Sequence, residues 1–170
     1  VNWKQCAEIG TWSSRLRISH ISAHFVDGHY EGSFGRWLNG RNPQIYSREF
    51  IDAVIAFEPT TLNNSTRLYA GAAILFHVDP VGLAPLSGIL GGEYHYTFST
   101  SLNAYCAYQA TLLKINNIAI RHQVQIGGKL GAWNGRGLQL FAAYFSGYSI
   151  HGEYYDVKEN YTGVGFNIDF

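Results

Sequence analysis

Apolar and polar residues alternate with a period of two along most of this chain, and stretches of helical period are weak. The alternation predicts eight strands, roughly 11–25, 45–58, 65–79, 88–98, 102–114, 117–133, 138–149 and 160–170. Turn chemistry separates several of them: Thr61 to Asn64, Ser99 to Ser101, Asn116-Asn117 and Asn134-Gly135-Arg136-Gly137. The strands exceed the usual five or six residues of globular sheets and approach the 9–11 that a tilted membrane-spanning strand needs.

Sorting each strand by face gives one apolar and one polar or small-residue side. Ile51, Ala53, Ile55 and Phe57 oppose Asp52, Val54, Ala56 and Glu58. Leu68, Ala70, Ala72, Ile74 and Phe76 oppose Arg67, Tyr69, Gly71, Ala73 and His77. Ile120, Val124, Ile126 and Leu130 oppose Arg121, Gln123, Gln125 and Lys129, and the last strand sets Val164, Phe166 and Ile168 against Gly163, Gly165, Asn167 and Asp169.

Two all-β architectures fit. A soluble lipocalin-like binder would turn the apolar face inward, packing Ile55, Ile74 and Ile126 inside. An antiparallel up-and-down transmembrane β-barrel of about eight strands would turn that face outward to lipid and fill its lumen with polar side chains. Three features favour the membrane. Trp12, Phe57, Phe98 and Phe170 fall on the apolar face near one set of strand ends, as an interfacial girdle requires. The first, third and seventh connections, at 26–44, 80–87 and 150–159, are long and the even-numbered ones are tight, with the fifth as the exception. Glycines 71, 91, 127, 131, 163 and 165 lie on the polar face, which suits a crowded lumen. Eight strands enclose side chains rather than a wide water path. Arg15, Arg17, Arg67, Arg121 and Lys129 are therefore expected to pair there with Asp52, Glu58, Glu93 and Asp169.

Composition narrows the function classes. The chain has 170 residues, read as one domain over 1–170, and Lys plus Arg (12) balances Asp plus Glu (12). That balance argues against nucleic-acid binding, which needs a basic excess. Aromatic residues at 15% and charged residues at 14% exclude a disordered chain. No apolar run approaches a membrane-spanning helix. The chain opens Val1-Asn2-Trp3 without Met or a signal sequence, as expected of a mature chain or a piece of a longer one. Cys6 and Cys106 are too few for a disulfide framework and read either as one bridge or as two isolated thiols.

Polar residues that break the alternation carry the candidate chemistry. The apolar parity of Trp12, Leu16 and Ile18 continues into His20, Ser22 and His24, and that of Ile51 begins at Glu49. A Ser–His–acid set is the nucleophile, base and orienter of acyl transfer. Ser22 would attack, His20 would take its proton and Glu49 would orient His20. Residues i and i+2 of a strand share a face, so His-x-Ser spacing suits the pair. The substrate at such a place would be an ester of outer-membrane lipid or lipopolysaccharide. The competing reading is a bulge near residue 19 that turns His20, Ser22 and His24 into the barrel mouth, where they would hydrogen-bond. His24, His77, Asp79 and His151 gather near the same rim and are of metal-ligating type, though their spacing is no metal motif. No cofactor is expected. His122 falls on the apolar parity without an evident reason.

Ordered segments carry a resemblance. They are Ser19-His20-Ile21-Ser22-Ala23-His24, Tyr46-Ser47-Arg48-Glu49, Leu68 to Ala72 through His77-Val78-Asp79-Pro80, Gly91-Gly92-Glu93-Tyr94, Gly135-Arg136-Gly137-Leu138, and Tyr144 to Gly147 through His151 to Asp156. Together they resemble an uncharacterised bacterial family, domain of unknown function 1207, over nearly the whole chain. The resemblance implies a Gram-negative outer-membrane location and supplies no activity. Members of that family usually extend further at the N-terminus, which implies further strands ahead of these. More locally, His20, Ser22 and Glu49 are similar to the His-x-Ser-Asn segment and following acid of outer-membrane lipid A 3-O-deacylases, with Ala23 where that motif has Asn.

Overall fold

The computed structural model describes residues 1–23, 30–40, 46–62, 65–79 and 83–170. The protein is all-β. Its strands are β1 (Asn2–Ala7), β2 (Gly10–Ala23), β3 (Tyr30–Glu31), β4 (Arg36–Trp37), β5 (Tyr46–Pro59), β6 (Thr66–Asp79), β7 (Leu86–Ser99), β8 (Leu102–Lys114), β9 (Ile118–Gly131), β10 (Gly137–Tyr148) and β11 (Lys158–Asp169). Three single-turn 3₁₀ segments punctuate the connections. Among the described residues no helix is long and apolar enough to cross a membrane.

Among the described residues nine strands form one antiparallel sheet in the order β1-β2-β5-β6-β7-β8-β9-β10-β11, while β3 and β4 make a separate small hairpin. Chain order equals sheet order, so the sheet is a meander of hairpins. The connections at one end (the turn end) are short; of those at the other (the loop end), the one between β8 and β9 is short as well and the rest are longer. Eight strands were expected. The ninth, β1, is a six-residue strand whose sequence Asn-Trp-Lys-Gln-Cys-Ala lacks a clean apolar face. It forms because Asn2 to Ala7 pair in register with Arg15 to Gly10 of β2.

The sheet is not closed. Among the described residues no pairing joins β1 to β11. An antiparallel meander of nine strands leaves its first and last strands running in the same direction, here toward the turn end. The sheet nevertheless curls, because one hollow at the turn end is lined by residues from β1 (Lys4) through β10 (Gln139). At the loop end Tyr155 stacks on Tyr46, with ring centroids 5.5 Å apart.

The face assignment holds along the sheet. Ile55, Ile74 and Ile126 lie on the convex face and are 58%, 56% and 57% exposed. Leu68, Leu90, Leu130, Leu140 and Phe166 share that face and are exposed too. Trp12 and Phe57, register partners near the turn end, bring their rings to 4.5 Å, and Tyr96 packs edge-on against Phe98. The concave face holds the small buried apolar set of Tyr46, Phe50, Val54, Ala56 and Phe145, together with buried Asp52, Asn103 and Lys129.

Many interior polar groups are hydrogen-bonded, whereas Arg48 Nε and Glu159 Oε2 are buried without a partner. Asp52 accepts from Arg17 Nε at 2.6 Å and from Arg15 at 3.4 Å. Arg67 donates to Glu93 at 2.9 Å and reaches Glu58 at 3.9 Å. Lys129 Nζ donates to Asp169 at 2.6 Å and to the carbonyls of Trp133 and Gly135. Gln109 donates to Gln123 and accepts from the Tyr69 hydroxyl, while Gln125 donates to Tyr105. Arg121 departs from the expected carboxylate pairing: it donates to the carbonyls of Tyr148 and Ser149. The sixth predicted strand also ends earlier than residue 133, at Gly131. Trp133 thereby enters the turn and stacks on His95 across the turn-end hollow, ring centroids 4.2 Å apart.

Candidate functional site

Register decides where the candidate residues sit. Strands β2 and β5 pair without interruption from Gly10↔Pro59 to Ala23↔Tyr46. The bulge considered near residue 19 is absent, so His20 keeps the outward parity of Trp12 and Ile18. Its direct partner is Glu49. His20 Nδ1 lies 3.6 Å from Glu49 Oε1, with both side chains about half exposed.

The partner of Ser22 is Ser47. On its other side Glu49 pairs with His77 of β6, and Ser47 with Asp79. A register shift between Glu49 and Phe50 makes this possible, since Phe50 pairs with Leu75 and Phe76 is left without a partner. One extra residue in a strand reverses the parity beyond it. Strict alternation put His77 on the concave face with Arg67; the bulge brings it into the outward row with Glu49. Two rows of three therefore cross the convex face at the loop end: His20, Glu49 and His77, then Ser22, Ser47 and Asp79. Sequence reasoning missed Ser47, although the β2–β5 register that opposes His20 to Glu49 also opposes Ser22 to Ser47.

The chemistry available is partial. Glu49 approaches the Nδ1 side of His20, which leaves Nε2 for a hydroxyl, the arrangement a Ser–His–acid set needs. Ser22 is exposed, and among the described residues no hydrogen bond joins it to His20. Among the described residues no three His, Cys, Asp or Glu side chains converge as a metal site. His77 and Asp79 lie on the convex face, His151 is exposed before the last 3₁₀ turn, and His24 is outside the described residues. His122 gains an account, because its Nδ1 lies 2.8 Å from the Tyr108 hydroxyl across β8 and β9 on the convex face. Cys6 and Cys106 are both free and exposed, on β1 and β8.

On the concave side of the same end lies a cavity of about 250 Å³. Arg17, Arg48, Lys114 and Arg121 reach it, and Asp52 is the acid that lines it.

The family model described as "Protein of unknown function (DUF1207)" matches residues 4–170, and the chain belongs to that family. No curated protein and no solved structure matches it.

Proposed function

We propose that this chain is an integral outer-membrane β-barrel protein whose convex face meets lipid. The observation that carries the reading is the inversion of the usual pattern. Large aliphatic side chains stand exposed along full-length strands, while paired charges fill the concave side. A contiguous apolar surface of this extent is foreign to soluble monomers and is the outer band of a membrane barrel. The exposure of Ile55, Ile74 and Ile126 favours this over a soluble lipocalin-like binder, which needs those side chains in a dry centre. The ring of Trp12, Phe57, Phe98 and Phe170 supplies one interfacial girdle. Unpaired strand edges do not occur within hydrocarbon. Both β1 and β11 are therefore covered in the membrane, either by parallel pairing with each other or by a further strand between them.

Fractionation tests the reading. The protein, expressed in Gram-negative cells, should stay with the outer membrane through carbonate washing and need detergent for release. Recovery in the aqueous fraction would overturn it.

A second reading rests on the facing of His20 and Glu49 on the lipid side. A histidine–carboxylate pair there, one residue-pair from Ser22, suits hydrolysis of acyl esters in the outer leaflet, of the lipid A class. Ser22 Oγ would attack the ester carbonyl as its proton passes to His20 Nε2. The alkoxide would then leave with that proton, and water would release the acid. Purified protein should release fatty acid from lipopolysaccharide, and Ser22→Ala should lower the rate at least about a thousandfold. Equal release by both proteins would reduce the chain to a non-catalytic barrel, structural or ligand-binding through its loops.

A further inference from the structure

We propose that the concave cavity at the loop end is a binding site for a phosphorylated small molecule with an apolar substituent. The cavity, about 250 Å³, is drawn from β2, β5, β6, β7, β8 and β9 and from the 149–155 connection. Four cationic residues line it, Arg17, Arg48, Lys114 and Arg121, and one acidic residue, Asp52. Asp52 is already engaged, because it accepts from both Arg17 and Arg15.

Arg48 and Arg121 thus face one space. Among the described residues no carboxylate forms an ion pair with either. Their charges bear on each other unfavourably. Arg121 is held in place, since its Nε donates to the Tyr148 carbonyl at 2.8 Å and its Nη2 to Ser149 at 3.2 Å. The Arg48 guanidinium rests over Tyr46 and Phe50, 5.6 and 5.3 Å from their ring centres. Its Nε is buried and has no hydrogen-bond partner.

A buried guanidinium nitrogen without an acceptor, beside a second guanidinium fixed by backbone, is costly unless an anion joins them. Guanidinium groups match phosphate oxygens in geometry and charge. Phe50, Leu75, Ile89 and Leu113 form an apolar stretch of the remaining wall, beside the polar Ser87, Gln109, Thr111 and Ser149. A bare anion would leave that wall wet, and an apolar substituent would cover it. The site lies on the concave side, opposite the convex face that carries His20, Ser22 and Glu49.

Calorimetric titration of the full chain in a neutral detergent tests this, with n-butyl phosphate, inorganic phosphate and n-butanol as probes. Butyl phosphate should bind saturably, inorganic phosphate at least about tenfold more weakly, and butanol not measurably. Arg48→Gln and Lys114→Gln should each weaken butyl phosphate by about tenfold, whereas Arg136→Gln, at the opposite end, should leave it unchanged. Arg121→Gln also removes the bonds to Tyr148 and Ser149 and is read only alongside Arg48→Gln. Absence of saturable binding, or unchanged affinity in Arg48→Gln, overturns the site. Equal affinity for the two phosphates overturns the assignment of the apolar wall.

Discussion

Arg17 and Asp52 are register partners on β2 and β5, and Arg17 Nε donates to Asp52 Oδ2 at 2.6 Å. Cross-strand opposite charges stabilise a sheet. Here the two partners differ in burial. The Asp52 side chain is almost wholly enclosed, while those of Arg17 and Arg15 are half in solvent. Removing the carboxylate therefore strands no deeply buried cation, and the loss belongs at the low end for charged pairs. Asp52→Asn should cost about 1–2 kcal/mol, measured by denaturant unfolding in micelles. An unchanged unfolding midpoint would show that the pair contributes nothing.

Lys129 presents the opposite case. Its side chain is nearly all enclosed and donates to Asp169 and to two carbonyls of the turn that joins β9 to β10. Lys129→Met keeps the apolar stem and removes all three bonds. Three acceptors lose their donor, so the cost should exceed that of Asp52→Asn, at about 2–4 kcal/mol. Proteolysis should then cut first within residues 132–136. A variant as stable as wild type, with an uncut turn, would contradict this role for Lys129.

Glycines on the concave face make room for rings. Tyr69 pairs with Gly91, Tyr105 with Gly127 and Phe141 with Gly165. In each pair the ring lies across the glycine, where a Cβ would collide with it. Gly91→Ala should destabilise by about 1–3 kcal/mol, read as a lower temperature for loss of the folded band on unheated gels. Because the obstacle at this position is the Tyr69 ring, the double variant Gly91→Ala/Tyr69→Ala should recover much of the loss relative to Tyr69→Ala alone. Full additivity of the two changes would show that the ring is not what the glycine accommodates.

The legible part of this fold was the part that period two controls. Sorting odd from even residues was enough to place Ile55, Ile74 and Ile126 on one face and Asp52, Arg67 and Lys129 on the other. It also anticipated their ion pairs, since residues confined to one narrow side have few other partners. Features that break the period were not legible. The unpaired Phe76 is one residue long and leaves no trace in hydrophobicity, yet it decides which way His77 points. Strand β1 borrows its order from β2 rather than from its own pattern. Trp133 reads as the end of a strand because tryptophan favours strands, but its ring is taken up by His95 across the hollow. At the candidate site His20 and Glu49 were legible from parity alone, whereas Ser47 needed the register.

The lipid-facing orientation of the convex side is tested most directly by nitroxide scanning of β9, which is paired on both edges. Single cysteines would run from Ile120 to Leu130, with Cys6 and Cys106 replaced by Ser, and the labelled protein would be reconstituted in lipid vesicles. If that face meets hydrocarbon, labels at 120, 124, 126 and 130 collide freely with oxygen and are shielded from a water-soluble nickel chelate. Labels at 123 and 125 would not share that oxygen preference. Labels at Ile126 and its even-numbered neighbours that are shielded from both reagents, or more open to the chelate, would contradict a membrane-embedded sheet.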